Sequence, residues 1–303
     1  MTVQAVADPY WSRNESHWEA VDREDPVVWG DQTSIDSPSR LGSEAIALYE
    51  QDGFHHAREL FSQAEVVELL AEANRLAEAE TRPKPGVVIE PGSNVVRSLF
   101  RLHRTNEMFR AVAHDPRLVD VARQLLGSDV YVHQSRINFK PAFDGKEFFW
   151  HSDFETWHIE DGVPRMRAVS VSISLTDNNE FNGPLMVVPQ SHWTYVRCVG
   201  ATPENHFEHS LKKQEYGVPS REAMLQLVDR GGIVAPKGPP GSALFFECNL
   251  MHGSVGNLSP YPRTNLFIVY NSVENAVVEP FGDRPPRPEY LAEREVLPIG
   301  TNV

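Results

Sequence analysis

The chain has 303 residues, 41% of them hydrophobic and 23% charged, and a formal net charge of -14. That length supports a sizeable core in one large domain or two small ones, and the acidic balance speaks against nucleic acid as a partner, because phosphate binding rests on Lys and Arg. No apolar run approaches the roughly 20 residues that cross a bilayer, and the polar, acidic stretch 1–18 lacks the basic start and apolar segment of a secretory signal, so the expected location is cytoplasmic with no membrane partner.

Residues 1–40 are rich in Asp, Ser and Pro and hold no apolar period, which reads as an irregular arm. A short helix is expected over 41–52, ending at Gly53. Ser62 and Glu65 have capping-box spacing, and Val66, Leu69, Leu70, Ala73, Leu76 and Ala77 repeat at helical intervals until Pro83, Pro85 and Gly86 stop the helix. Asp115 and Pro116 read as N-cap and first helical residue. Leu118, Val119, Ala122, Leu125 and Leu126 form the apolar face of that helix, and Gly127 closes it.

Beyond Gly127 the texture changes to short Val-, Ile-, Phe- and Tyr-rich segments between turn residues, with strands expected over 130–140, 146–151, 166–176, 185–188, 242–247 and 264–271. Val169, Val171, Ile173 and Leu175 alternate with Ser170, Ser172 and Ser174, which is period two. Several such strands predict a mainly β double-sheet jelly roll, with the N-terminal helices packed on one sheet. The expected organisation is an arm (1–40) followed by a single domain (41–303). That domain has a helical part (41–127), a jelly-roll core (128–275) and a tail (276–303) where prolines crowd 280–288. Cys198 and Cys248 are far apart and form no CxxC pair, so both read as small core residues.

Two His and one carboxylate on one face, with open positions opposite, is the donor set of non-haem iron(II) oxygenases. Its sequence form is His-x-Asp or His-x-Glu followed far downstream by a second His. His151-Ser152-Asp153 fits, and on a strand residues i and i+2 would point to one side. The spacing alone is weak, since His17-x-Glu19, His158-x-Glu160 and His206-x-Glu208 share it. Context selects His151 and Asp153. They follow the apolar stretch Phe148-Phe149-Trp150, His252 follows another at 243–246, and Arg263 comes eleven residues later. An Arg there is placed to clamp the distal carboxylate of a dicarboxylic acid through paired hydrogen bonds.

With these residues in hand, the chain resembles the phytanoyl-CoA hydroxylase-type 2-oxoglutarate dioxygenases, as does the segment 182–192, a Gly-Pro-Leu to Pro-x-Ser-His run ahead of the distal His. Within that superfamily the block 148–168 (FFWHSDFETWHIEDGVPRMRA) resembles the signature of the ectoine hydroxylases. The resemblance implies a double-stranded β-helix, cupin-like core. It also implies iron(II), with 2-oxoglutarate and O₂ as co-substrates, and hydroxylation of the compatible solute ectoine to 5-hydroxyectoine with release of succinate and CO₂. A homodimer is usual in the family. By the same resemblance the metal falls on His151, Asp153 and His252, and 2-oxoglutarate on Lys140 and Arg263. Ectoine falls on Gln134, Thr156 and Trp157, with either Arg284 or Arg287 near its carboxylate. Related halogenases replace the metal carboxylate by a small residue, so Asp153 argues for hydroxylation.

Ectoine is a cyclic amidine with a carboxylate. Its delocalised cation asks for an aromatic face, which Trp157 supplies, and its carboxylate for an amide or cation such as Gln134 or an Arg. Three other readings compete: a hydroxylase of another small zwitterion such as proline or a betaine, a cupin-like metal protein without redox chemistry, and a sensor that binds ectoine without turnover.

Overall fold

The computed structural model describes residues 8–13, 17–30, 37–90, 95–211 and 215–300. Its strands are β1 (Glu19–Asp22), β2 (Phe54–Ala57), β3 (Val87–Ile89), β4 (Val96–Phe100), β5 (Val130–Lys140), β6 (Phe148–His151), β7 (Ala168–Ser174), β8 (Met186–Val187), β9 (Thr194–Arg197), β10 (Ala243–Glu247), β11 (His252–Ser254) and β12 (Arg263–Ser272). Its α-helices are α1 (Ser43–Asp52), α2 (Gln63–Glu78), α3 (Leu102–Thr105), α4 (Glu107–Ala113), α5 (Pro116–Leu126), α6 (Asp153–Thr156), α7 (Phe207–Ser210) and α8 (Arg221–Gly231). A π-helical turn, Trp157–Asp161, continues α6.

One sheet of seven strands runs β2-β10-β7-β12-β5-β4-β3, a second runs β6-β11-β8, and β1 pairs with β9. The pairing between named strands is antiparallel throughout. The expected jelly roll is thus present, and the six strands read from the sequence are all found. The stretch 41–127, expected to be helical, also contributes β2, β3 and β4 to the large sheet. These are three to five residues long, too short for a period to register. The arm, read as irregular, supplies β1.

The helices sit where their caps and faces predict. Ser62 and Glu65 form the reciprocal capping box on α2, and Asp115 caps α5 with Pro116 at its first turn. Leu118, Val119, Ala122 and Leu125 of α5 are buried against Val130, Val132, Val171 and Ile268 of the large sheet. Each Leu, Val or Ile side chain among them contributes roughly 1.5–3 kcal/mol by leaving water. The Val/Ser alternation of β7 divides its two faces. Val169, Val171 and Ile173 join the helix-covered core, while Ser170 and Ser172 hydrogen-bond Asp153 and Asn265 on the other side. The serine face is buried too, turned to the interior of the roll where Asp153 and Asn265 meet it. Both cysteines are buried, as expected.

Candidate active site

The strand β6 ends at His151, and Asp153 opens α6. The two therefore meet through a strand-to-helix corner, not as alternate residues of one strand, and the aromatic stretch Phe148–Trp150 before them is half-buried rather than buried. His252 begins β11, directly opposite His151 in the antiparallel register. Cys248 lies just past the end of β10, before β11 begins, so it shares no strand with His252. His151, Asp153 and His252 bring one donor atom each to within 4.8 Å of one another. His151 Nε2 lies 3.7 Å and His252 Nε2 3.8 Å from Asp153 Oδ1.

Neighbouring atoms fix which donor each residue offers. His151 Nδ1 is 2.7 Å from the Phe149 carbonyl and His252 Nδ1 is 2.9 Å from the Leu250 carbonyl. A carbonyl only accepts, so Nδ1 carries the proton and Nε2 keeps its lone pair for a metal. Ser170 Oγ donates to Asp153 Oδ2 at 3.1 Å, which leaves Oδ1 facing the imidazoles. Burial, with His151 beside it, brings the His252 pKa down to about 4, so its ring is neutral at pH 7. Burial alone would raise Asp153, but His252, His151 and Arg136 around it hold it well below the usual carboxylate range. Two imidazoles that turn Nε2 toward the corner and an ionised carboxylate fit iron(II).

The triad opens into a cavity walled by both sheets and by the α6 turn. Arg263 lines it, 3% exposed, and its Nε and Nη1 have no hydrogen-bond partner among the described residues. Gln134, Thr156 and Trp157 line it as well. Gln134 donates to the Leu291 carbonyl at 2.5 Å and accepts from Arg136. Thr156 Oγ1 has no partner among the described residues, and Trp157 stacks edge-on to His133 at 5.3 Å. Lys140 is opposite Arg263 in register, but it is not part of the cavity lining. Its amino group turns behind the wall to donate to Ser254 Oγ at 2.8 Å and to the Val255 carbonyl. Of the two C-terminal candidates, Arg287 lines the cavity and forms a two-bond pair with Asp161. Arg284 instead donates to the Thr202 carbonyl, away from the lining.

Sequence reasoning missed Arg136, Asn138, Glu160, Ser254 and Phe267, all in the lining. A signal existed for the first two: Gln134, Arg136, Asn138 and Lys140 alternate along one strand. That face points into the cavity because of a bulge. In the register of β12, Val269 faces Gln134 but Tyr270 faces Val132, so His133 is an extra residue. It switches the even positions from the helix-packed side to the cavity side. Glu160 belonged to a His-x-Glu pair set aside as a weak match, and the π turn is what brings it inside.

A family model described as phytanoyl-CoA dioxygenase (PhyH) matches residues 49–265. An ectoine dioxygenase from Bordetella bronchiseptica is 50% identical over 296 residues, covering 97% of this chain and 95% of the relative. The crystal structure of EctD from S. alaskensis with 2-oxoglutarate and 5-hydroxyectoine superposes with a TM-score of 0.85 at 46% identity, over 95% of each chain. The same protein with bound Fe superposes with a TM-score of 0.84 at 45% identity, again over 95% of each chain. A corner of two imidazoles and a carboxylate inside a jelly roll is thus matched in sequence and in shape over nearly the whole length, and the chain belongs to the phytanoyl-CoA dioxygenase family and, within it, to the ectoine dioxygenases.

Proposed function

We propose that the chain hydroxylates ectoine to 5-hydroxyectoine, consuming 2-oxoglutarate and O₂ and releasing succinate and CO₂. The observation that carries this reading is a single cavity. It joins a two-histidine, one-carboxylate corner to the Arg263 guanidinium, two of whose nitrogens have no partner among the described residues, and to the aromatic and amide wall of Trp157 and Gln134. The S. alaskensis relative solved with 2-oxoglutarate and 5-hydroxyectoine supports the choice of substrate.

His151, Asp153 and His252 would hold iron(II), which when bound supplies O₂ activation coupled to decarboxylation of the 2-oxo acid. Arg263 takes the distal carboxylate of 2-oxoglutarate and so aims its 2-oxo end at the triad. Arg136 and Asn138 add donors along the same wall, and Lys140 stiffens it from behind through Ser254. Trp157 faces the amidinium of ectoine, with the Glu160 carboxylate beside it in the lining. Arg287 and Gln134 face the ectoine carboxylate, and the Thr156 hydroxyl, without a partner among the described residues, completes the ring of contacts. Phe148, Leu185 and Phe267 close the remaining walls and exclude water from the reacting atoms.

The family resemblance also carries a homodimer and a cytoplasmic location, and sedimentation of the purified chain tests the first. Among the described residues no helix is long and apolar enough to cross a membrane. The activity is tested by anaerobic reconstitution with iron(II), 2-oxoglutarate and ectoine, started with O₂, reading succinate and hydroxyectoine together. Equal yields are expected. Succinate without hydroxyectoine moves the reading to another small zwitterion, and neither product from folded, iron-loaded chain overturns it in favour of a metal protein without redox chemistry.

A further inference from the structure

The helical turn that carries Asp153, Thr156 and Trp157 has a second set of contacts, on the side away from the cavity, and they come from the N-terminal arm. Asp8 lies 3.1 Å from His158 Nε2. Tyr10 is fully buried and packs edge-on against Phe154 and Tyr195, each at 5.2 Å. Ser12 Oγ donates to Glu155 Oε1 at 2.7 Å. Arg13 makes the densest junction. Its Nε and Nη2 grip the two oxygens of Glu155 at 3.1 and 3.0 Å, and its Nη1 reaches Glu160 at 2.6 Å and Thr202 Oγ1 at 2.6 Å. Arg13 sits at φ 62°, a left-handed conformation that a residue with a Cβ adopts only when its surroundings hold it there.

Burial makes this junction consequential. Arg13 is 7% exposed, Glu155 1% and Glu160 5%. Two carboxylates of α6 and the π turn share this buried cation, and removing it strips Glu155 of its ion pair and leaves Glu160 with only the longer-range charge of Arg287. Glu160 is itself in the cavity lining, as is His206, four residues beyond Thr202. Arg13 thus touches two segments that wall the cavity without entering it. The other half of the site is anchored independently. Phe154 N–H bonds the Cys248 carbonyl at 2.8 Å, Ser170 holds Asp153, and Arg263 rises from β12. Removing the Arg13 junction therefore acts on the later part of the turn, Glu155 to Glu160, and spares the triad and the Arg263 end.

We propose that Arg13 is a positioning residue for the ectoine half of the cavity: by tying Glu155 and Glu160 to the arm it holds the turn so that Thr156 and Trp157 present a fixed face to the substrate ring. This rests on the reading above, in which that half receives ectoine. A segment distant in sequence and touching no reacting group then governs how the ring is presented.

The test uses the full-length chain loaded with iron(II), comparing wild type, Arg13→Met and Arg13→Lys. Arg13→Met is expected to raise the KM for ectoine roughly 10- to 100-fold, the scale of a small misplacement in a site. The KM for 2-oxoglutarate should hold within about twofold, the pattern left when one ligand's positioning is lost. Succinate should exceed hydroxyectoine, because the co-substrate is spent on a poorly presented ring, and Arg13→Lys should recover part of the ectoine KM. An unchanged ectoine KM and product ratio overturn the inference, and so do two KM values that rise together, the mark of general loosening. If Arg13→Met fails to fold, Ser12→Ala removes one bond to Glu155 and must show the same split on a smaller scale, its absence again being fatal. Wild-type chain that makes no hydroxyectoine sinks the substrate reading and this inference with it. Normal wild-type turnover without the split sinks this inference alone.

Discussion

Replacing Arg263 by methionine should stabilise the substrate-free chain while crippling its use of 2-oxoglutarate. The guanidinium is 3% exposed, two of its nitrogens have no partner among the described residues, and burial brings its pKa down to about 10. At about 1.4 kcal/mol per pH unit, holding the charge there costs roughly 3 kcal/mol. Methionine keeps most of the aliphatic packing and removes that cost, so a gain of about 1–3 kcal/mol is expected, the range for a relieved unsatisfied polar group. Unfolding entropy near 2 cal/mol/K per residue sums to about 0.6 kcal/mol/K for a chain this long, so 2 kcal/mol raises Tm by about 3 °C. Binding moves the other way. Truncating one partner of a buried charge pair costs about 2–5 kcal/mol, which is at least roughly 30-fold in the KM for 2-oxoglutarate. Thermal scans without 2-oxoglutarate and succinate kinetics read the two effects. A lower Tm, or a KM changed by less than about tenfold, refutes the idea that Arg263 is held unpaired for a ligand.

Three further substitutions probe other parts of the site. His252→Ala removes one of three donors and should abolish iron-dependent turnover and lower the iron retained after gel filtration; near-wild-type activity would take His252 out of the triad. Trp157→Ala should raise the KM for ectoine about tenfold or more while substrate-free decarboxylation of 2-oxoglutarate persists; equal loss of both activities would make Trp157 structural instead. Lys140→Met tests a pH dependence. Burial, followed by the charges of Arg263 and Arg97, lowers the Lys140 pKa to about 6 from 10.5. Between those values the unfolded chain carries the proton and the folded chain does not, so wild-type stability rises with pH, by at most about 1.4 kcal/mol per unit. Urea unfolding at pH 7 and pH 9 should therefore show wild type gaining on the variant, and parallel behaviour would mean the ammonium stays charged in the fold.

How far the sequence reaches is visible in single residues. The α2 capping box, the proline-initiated α5 and the Val/Ser alternation of β7 were legible because each is a local pattern whose physics acts over a few residues. His151, Asp153, His252 and Arg263 were legible through spacing between apolar strands, and the structure brings those four into one cavity. What spacing does not carry is the path of the chain between them. That Asp153 starts a helix rather than sharing a strand with His151 depends on where β6 ends, and β6 ends where its partner β11 begins, about a hundred residues away.

The bulge at His133 makes the same point for substrate contacts. Whether Gln134 faces helices or cavity depends on one extra residue in the register against β12, and register is a property of two strands and not of either sequence. Arg284 and Arg287 are equivalent on paper, yet only Arg287 meets Asp161 and the cavity, because the tail crosses Gly162 so closely that a Cβ there would sit 2.1 Å from the Val278 carbonyl. Lys140, opposite Arg263, leaves the lining for Ser254, a partner it reaches only across two sheets. The sequence by itself determined the chemistry: two imidazoles, a carboxylate, a guanidinium and an aromatic block, since donor type and charge belong to the residues. Tertiary structure alone decided which of many polar side chains share the cavity, because direction and distance are set by strand register, bulges and crossings between segments far apart in the chain.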